Sequence, residues 1–323
     1  GGHGTSQEVA AKYLRRDELP PFPSPPGPRY ASDVVGRLRN KDDWSVQFSA
    51  LDDVRRMAAF APALLLSSPG GCATTVLELL LELAESPRSA LARNALRSLG
   101  ELFLASGHSL DQKLDAVLPP MLRRAADTNH FIGDEADQGL CEICRSAGAG
   151  RLIGALTPAV GHKSAGIRSK AVWCLAMVAQ RLGRNASSVR EAAALVQMVT
   201  KATMDASPDV RGASCAAAAA LVVADPSHAG RLGQAIPEGL DLSTFDAFDR
   251  RLLQRLQQFR RSGQVAFSGS PTHRPNSGQS ASSAPLPGTA GRLHREGGET
   301  SKWRRESEER RRAAGAAVVQ PRR

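Results

Sequence analysis

The chain has 323 residues, of which 41% are hydrophobic but only 4% aromatic, so Ala, Leu and Val must supply any core. That length accommodates one large domain, two small ones or a repeat array, and small apolar residues suit closely packed helices, in which Ala has the best intrinsic propensity. The net charge is +10, yet eleven Lys or Arg against five Asp or Glu fall between residues 262 and 323. An excess of only four is thus left for residues 1 to 261. A folded part so mildly basic argues against a nucleic-acid-binding face, which needs a dense patch on the domain itself.

Residues 1–29 are expected to form an extended leader. They end in Leu19-Pro20-Pro21-Phe22-Pro23-Ser24-Pro25-Pro26-Gly27-Pro28, and proline at that density removes backbone donors and opposes helix. From Ala31 to Phe259 the pattern is helical, cut by short breakers, and stretches rich in strand-forming residues are hard to find. After Trp44, the residues Phe48, Leu51, Val54 and Ala58 fall on one helical face, with Asp52, Asp53, Arg55 and Arg56 expected largely off it.

A repeat runs through this region. An apolar residue stands four before a small one at Val46 and Ala50, Leu91 and Ala95, Ile132 and Ala136, Ile167 and Ala171, and Val210 and Ser214. The successive spacings are 45, 41, 35 and 43 residues, near the roughly 40–47 of HEAT and armadillo units. Each copy reads as the turn within a helical hairpin. Pro208 suits the first helical turn, with Ser207 as a candidate cap. The fold class predicted is all-α, a HEAT-repeat solenoid over residues 30–261. Five hairpins are expected near 31–66, 71–107, 111–147, 149–183 and 187–224, with a partial sixth beyond. Residues 262–323, rich in Ser, Gly and Pro and then in Arg and Glu, are expected to be a disordered basic tail.

Five cysteines are an odd and sparse set, which fits a reducing compartment better than a disulfide framework. Cys141-Glu142-Ile143-Cys144 is a lone CxxC with no second pair at zinc spacing, so two core thiols are expected and no metal. None of the seven histidines stands in a recognisable catalytic order, and no phosphate-loop, dinucleotide or HExxH motif occurs. The expectation is therefore a protein that is not an enzyme and needs no cofactor. No apolar run reaches the roughly 18 residues of a membrane span.

The segments Asp43-Trp44, Leu51-Asp52-Asp53-Val54-Arg55-Arg56-Met57-Ala58-Ala59-Phe60, Leu99-Gly100-Glu101-Leu102-Phe103 and Thr128-Asn129-His130-Phe131-Ile132, in that order, resemble a TOG domain. More narrowly, the chain is similar to the C-terminal TOG domain of the crescerin family, the TOG-array regulators of axonemal microtubules. This resemblance implies that tubulin or microtubules are bound through the loops inside the hairpins. The implied binding residues are Lys41, Trp44, Arg88, Ser89, Asn129, His130, Phe131, His162, Lys163, Arg168, Ser207 and Arg211. It also implies a place in the cytoskeleton, at a cilium, axoneme or basal body, with other axonemal proteins as further partners. For Arg168 and Arg211 an internal role is an equal alternative, since this HEAT position often pairs with a carboxylate of the next repeat. The chain departs from the family at Gln47, Gly133 and the Cys215-Ala216 pair, where basic residues are common. Charge-assisted bonds contribute about 1.5–3 kcal/mol each, so these losses point to weaker tubulin binding. They also raise the alternative of a TOG-like scaffold that docks another axonemal or centrosomal protein without binding tubulin.

Overall fold

In the computed structural model, residues 13–66, 72–187, 189–224, 227–237, 239–245 and 247–262 are described. Thirteen α-helices lie among them and no strand: α1 Pro28–Leu38, α2 Trp44–Phe60, α3 Ala63–Leu66, α4 Ala73–Ala84, α5 Ser89–Ser106, α6 Leu114–Ala125, α7 His130–Ser146, α8 Ala149–Val160, α9 Ala165–Leu182, α10 Ala192–Ala202, α11 Pro208–Ala224, α12 Ser227–Ala235 and α13 Ala247–Ser262. The predicted tail beyond Ser262 and the first twelve residues of the predicted leader lie outside the described residues.

The helices pair as α1–α2, α4–α5, α6–α7, α8–α9, α10–α11 and α12–α13. First helices stack on first helices, and α2, α5, α7, α9 and α11 stack in a second layer. This is the predicted HEAT solenoid, five hairpins with a shorter sixth whose first helix has nine residues. The repeat pattern explains the stacking. All five small residues, Ala50, Ala95, Ala136, Ala171 and Ser214, are fully buried, so facing helices approach closely where they sit. The tightest approach is at Gly100 of α5 and Gly139 of α7, where a Cβ on Gly100 would come 2.7 Å from the Gly139 Cα.

Local chemistry sets the helix ends. Pro28 begins α1, where its missing N–H goes unneeded. α5 and α9 stop at Gly107 and Gly183, both at positive φ (53° and 51°), a backbone conformation that L side chains rarely adopt. α6 continues through Pro119 and Pro120. The residues whose carbonyls lose partners there, Asp115 and Ala116, are exposed, which limits the cost of the two missing hydrogen bonds.

One expectation is corrected. Arg55 does not lie off the buried face of α2; it is 0% exposed. Its Nε and Nη2 donate to Glu101 Oε1 at 3.2 and 3.1 Å, and its Nη1 donates to Asp52 Oδ1 at 3.3 Å. Asn94 Nδ2 closes the group on Asp52 at 3.0 Å. Arginine's planar fork lets one buried side chain satisfy partners on two helices at once, which residue type alone does not signal. Similar links continue along the second layer: Arg97 to Glu135 at 2.7 Å and Lys170 to Asp137 at 2.6 Å.

Residues 13–27 do not simply lead into α1. A 3-10 turn spans Arg16–Glu18, and Leu19 is 3% exposed. Arg97 Nη1 donates to the Leu14 carbonyl at 3.1 Å and Arg56 Nε to the Pro20 carbonyl at 3.0 Å.

Candidate functional site

Five short loops join the two helices of each full hairpin, and all five carry the same turn. A side chain accepts a hydrogen bond from the backbone N–H two residues on: Asn40 from Asp42 (3.0 Å), Ser86 from Arg88 (3.2 Å), Asp127 from Asn129 (2.9 Å), His162 Nδ1 from Ser164 (3.0 Å) and Asp205 from Ser207 (2.8 Å). Such turns compete with helix and so fix where the second helix may begin. Because the hairpins stack, the five loops recur at one end of successive second helices and form a row. Asp205 accepts from the Ser207 N–H just ahead of α11, and Pro208 begins that helix as expected.

The predicted site residues divide into two groups along this row. In the first three loops the side chains point outward. Phe131 is 66% exposed, and Arg88, Ser89, Asn129 and His130 are exposed as well. Asn129 also caps α7, accepting from the Phe131 N–H at 3.1 Å. Trp44 is half-buried against the core, and the Arg88 guanidinium lies 5.5 Å from its ring centroid. Lys41 is exposed but meets Glu82 of α4 at 2.6 Å, and that hydrogen bond holds its pKa above the ordinary lysine value. Next to it, Asp43 is held below the carboxylate range by the Ser45 hydroxyl.

In the fourth and fifth loops the arginines turn inward. Arg168 forms a two-pronged pair with Asp205 and gives its remaining nitrogen to the carbonyls of His162 and Lys163 at 2.9 and 3.0 Å. Arg211 repeats the second part, donating to the carbonyls of Asp205 and Ala206 at 2.9 Å each, with its guanidinium 5.4 Å from the Phe245 ring. The Arg168 hydrogen bond is the largest cause that lowers the Asp205 pKa. Lys163 stays exposed, while His162 and Ser207 are half-buried within their turns.

Of the four positions where basic residues are absent, Ala216 is half-buried and the other three are buried. Gln47 is buried and donates to the Leu38 carbonyl at 3.0 Å, doing for the first loop what Arg168 and Arg211 do for theirs. Gly133 is buried, with the Ala125 and Asp127 carbonyls 3.5 and 3.8 Å from where a Cβ would stand. Cys215 is fully buried.

Sequence reasoning missed Arg93. Its guanidinium lies 5.3 Å from the Phe131 centroid and 4.3 Å from that of Tyr13, and donates to Glu135 at 3.2 Å. It therefore supports the exposed ring of the third loop from below. Its place in α5, four residues after Ser89, was the available signal. Cys141 and Cys144 are core thiols as expected, and burial pushes Cys141 up to about 12, so Cys141 is not poised as a nucleophile. Among the described residues no His, Cys, Asp and Glu group could hold a metal ion, and no helix is long and apolar enough to cross a membrane.

The sequence profile of the CLASP N-terminal family matches residues 38–241. Among curated proteins, TOG array regulator of axonemal microtubules protein 1 of Mus musculus is 30% identical over 139 residues, 43% of this chain but 7% of that protein. The Homo sapiens protein of the same name is 28% identical over 136 residues, 42% of this chain and 8% of its own length. The matched stretch is therefore a small part of much longer relatives. Among solved structures, one from work on microtubule plus-end tracking by XMAP215, CLIP-170 and EB1 superposes with a TM-score of 0.53 at 15% identity, covering 70% of this chain and 89% of that one. A crescerin structure, from work on a TOG domain array that regulates microtubules in the primary cilium, gives 0.52 at 18% identity over the same shares. The MAST/Orbit N-terminal domain gives 0.51 at 17%, covering 71% and 96%. These likenesses give the fold as that of a TOG domain. With a family match running from the end of α1 into the sixth hairpin, over the loops just described, this chain belongs to the CLASP N-terminal family.

Proposed function

We propose that this TOG domain binds tubulin along its loop row, chiefly through the first three loops. The observation that carries this is the exposed group of Phe131, Arg88, His130 and the Arg88-covered Trp44 on one row of aligned loops. An exposed aromatic ring backed by a guanidinium supplies the rigid anchor typical of an interface hot spot, and Arg88 and Lys163 offer charge to an acidic partner. The curated relatives are named as regulators of axonemal microtubules, and we carry that role over: a non-catalytic scaffold acting on microtubules of a cilium, axoneme or basal body. In this reading residues 30–261 are the binding domain, flanked by the leader (1–29) and by a basic tail (262–323) that adds weak, salt-dependent attraction to the lattice.

The test is gel filtration with free tubulin and co-pelleting with microtubules, comparing the wild type with Phe131→Glu and Arg88→Ala. Loss of binding in both variants supports the reading. A wild-type domain that binds neither form overturns it.

A second reading, a TOG-like scaffold for another axonemal or centrosomal protein, is favoured by one observation. Lys41, Arg168 and Arg211 are engaged within the domain, so fewer charges remain for tubulin than the loop sequence suggests. Recovery of an axonemal partner by the same Phe131 surface, without tubulin, would select it.

A further inference from the structure

Beside the third loop, whose Phe131 shares Arg93 with Tyr13, the second-layer surface of the first two hairpins holds the segment Tyr13–Phe22 in the manner of a bound peptide. Two kinds of contact fix it. Arginines of the helices donate to its main chain: Arg97 to the Leu14 carbonyl, and Arg56 to the Pro20 and Pro21 carbonyls at 3.0 and 3.5 Å. Three side chains anchor it, Tyr13 and Phe22 at its ends and Leu19 between. The Tyr13 ring meets Phe48 edge to face at 5.4 Å, with Arg93 4.3 Å from its centroid. Leu19 is 3% exposed. The Phe22 ring meets Tyr30 edge to face at 5.3 Å, with Arg56 4.3 Å from its centroid.

Main-chain contacts made by arginines do not depend on the bound sequence, whereas the anchors do, a division of labour found where extended peptides are recognised. Pro20 and Pro21 suit the end of the segment that follows the 3-10 turn, because their restricted backbone loses little entropy on docking. Between the anchors, Arg15, Arg16, Asp17 and Glu18 are exposed and contribute nothing to the core, which fits a docked segment better than a structural element.

We propose that this surface is a second recognition site, one for peptides that carry an aromatic residue, a leucine six positions on and an aromatic three beyond it, with a single turn between the first two, and that the chain's own Tyr13–Phe22 closes it in cis. The proposal does not rest on tubulin binding by the loop row; Arg93, which touches both Tyr13 and Phe131, is left unchanged in the test, so either reading can fail without the other. A tethered occupant faces its site at an effective concentration of order millimolar, and an external peptide binds only when the tether's anchors are weakened.

The test uses the full chain and a fluorescein-labelled peptide spanning Tyr13–Phe22, read by fluorescence polarisation. The variant Tyr13→Ala/Leu19→Ala/Phe22→Ala is expected to bind the peptide saturably and at least tenfold more tightly than the wild type. Adding Arg56→Ala and Arg97→Ala to that variant should remove the binding. Equal binding by wild type and triple variant, or no saturable binding by a triple variant with intact helical circular dichroism, overturns the proposal. Loss of the helical signal in the triple variant overturns it equally, because the segment would then be part of the core and not a separable occupant.

Discussion

Arg168 closes on Asp205 of the following loop with two parallel hydrogen bonds of 2.7 and 2.8 Å, so the internal pairing that the sequence offered as one of two roles for this residue is made, and it clasps the fourth hairpin to the fifth. Both side chains are more than four-fifths shielded from solvent, and a shielded, two-pronged pair contributes far more than an exposed one. Arg168→Gln is expected to lower stability by about 1.5–3 kcal/mol and to leave the first three loops unchanged. Chemical denaturation measures the first effect.

The same pair gives a pH signature. Chiefly through Arg168, Asp205 titrates below the ordinary carboxylate range in the folded protein. Its contribution is therefore full above the unfolded value near 4 and is lost as pH falls through the lower folded value. The stability difference between the wild type and Asp205→Asn should be largest near neutrality and should shrink steadily below about pH 4. A difference that grows on acidification would contradict this.

Breaking the buried Arg55 group should cost more than breaking the clasp. Arg55→Ala strands the Glu101 carboxylate in the interior, and removing one partner of a buried pair costs about 3–5 kcal/mol. Arg55→Met together with Glu101→Leu should recover much of that loss, since a well-packed apolar pair replaces the ions. Thermal unfolding of the three proteins checks the order.

Gly100 and Gly139 set the α5–α7 contact. A methyl on Gly100 would stand 2.7 Å from backbone, which no side-chain rotation relieves, so Gly100→Ala should destabilise by about 1–3 kcal/mol despite alanine's better helix propensity. Gly133→Ala meets only ordinary contacts of 3.5 Å or more and should stabilise by up to about 1 kcal/mol. Opposite signs for two Gly→Ala changes in one protein would separate packing from propensity.

The repeat and its register were legible in the sequence because stacking demands a small residue at a fixed distance from an apolar one, and Ala50, Ala95, Ala136, Ala171 and Ser214 all sit at the helix contacts. The loops were legible too, but their charges were not. Whether Arg168 reaches a partner or Asp205 depends on where the neighbouring hairpin places a carboxylate, 37 residues away; the repeat offered both roles as equal alternatives and could not choose between them. Arg55 misled for a related reason: a helical-face count treats every arginine as solvated, whereas Glu101, 46 residues on, draws this one inside. The turn shared by Asn40, Ser86, Asp127, His162 and Asp205 went unseen because four residue types do the same job.

Microtubule co-pelleting of three single variants in parallel tests the central claim most directly. If the outward-facing loops of the first three hairpins carry binding, Phe131→Ala and Arg88→Ala should each weaken binding about tenfold or more, in keeping with loss of hot-spot residues, while Arg168→Gln, assayed where it remains folded, should change it little. Undiminished binding by Phe131→Ala and Arg88→Ala, with binding lost only in Arg168→Gln, would contradict the account.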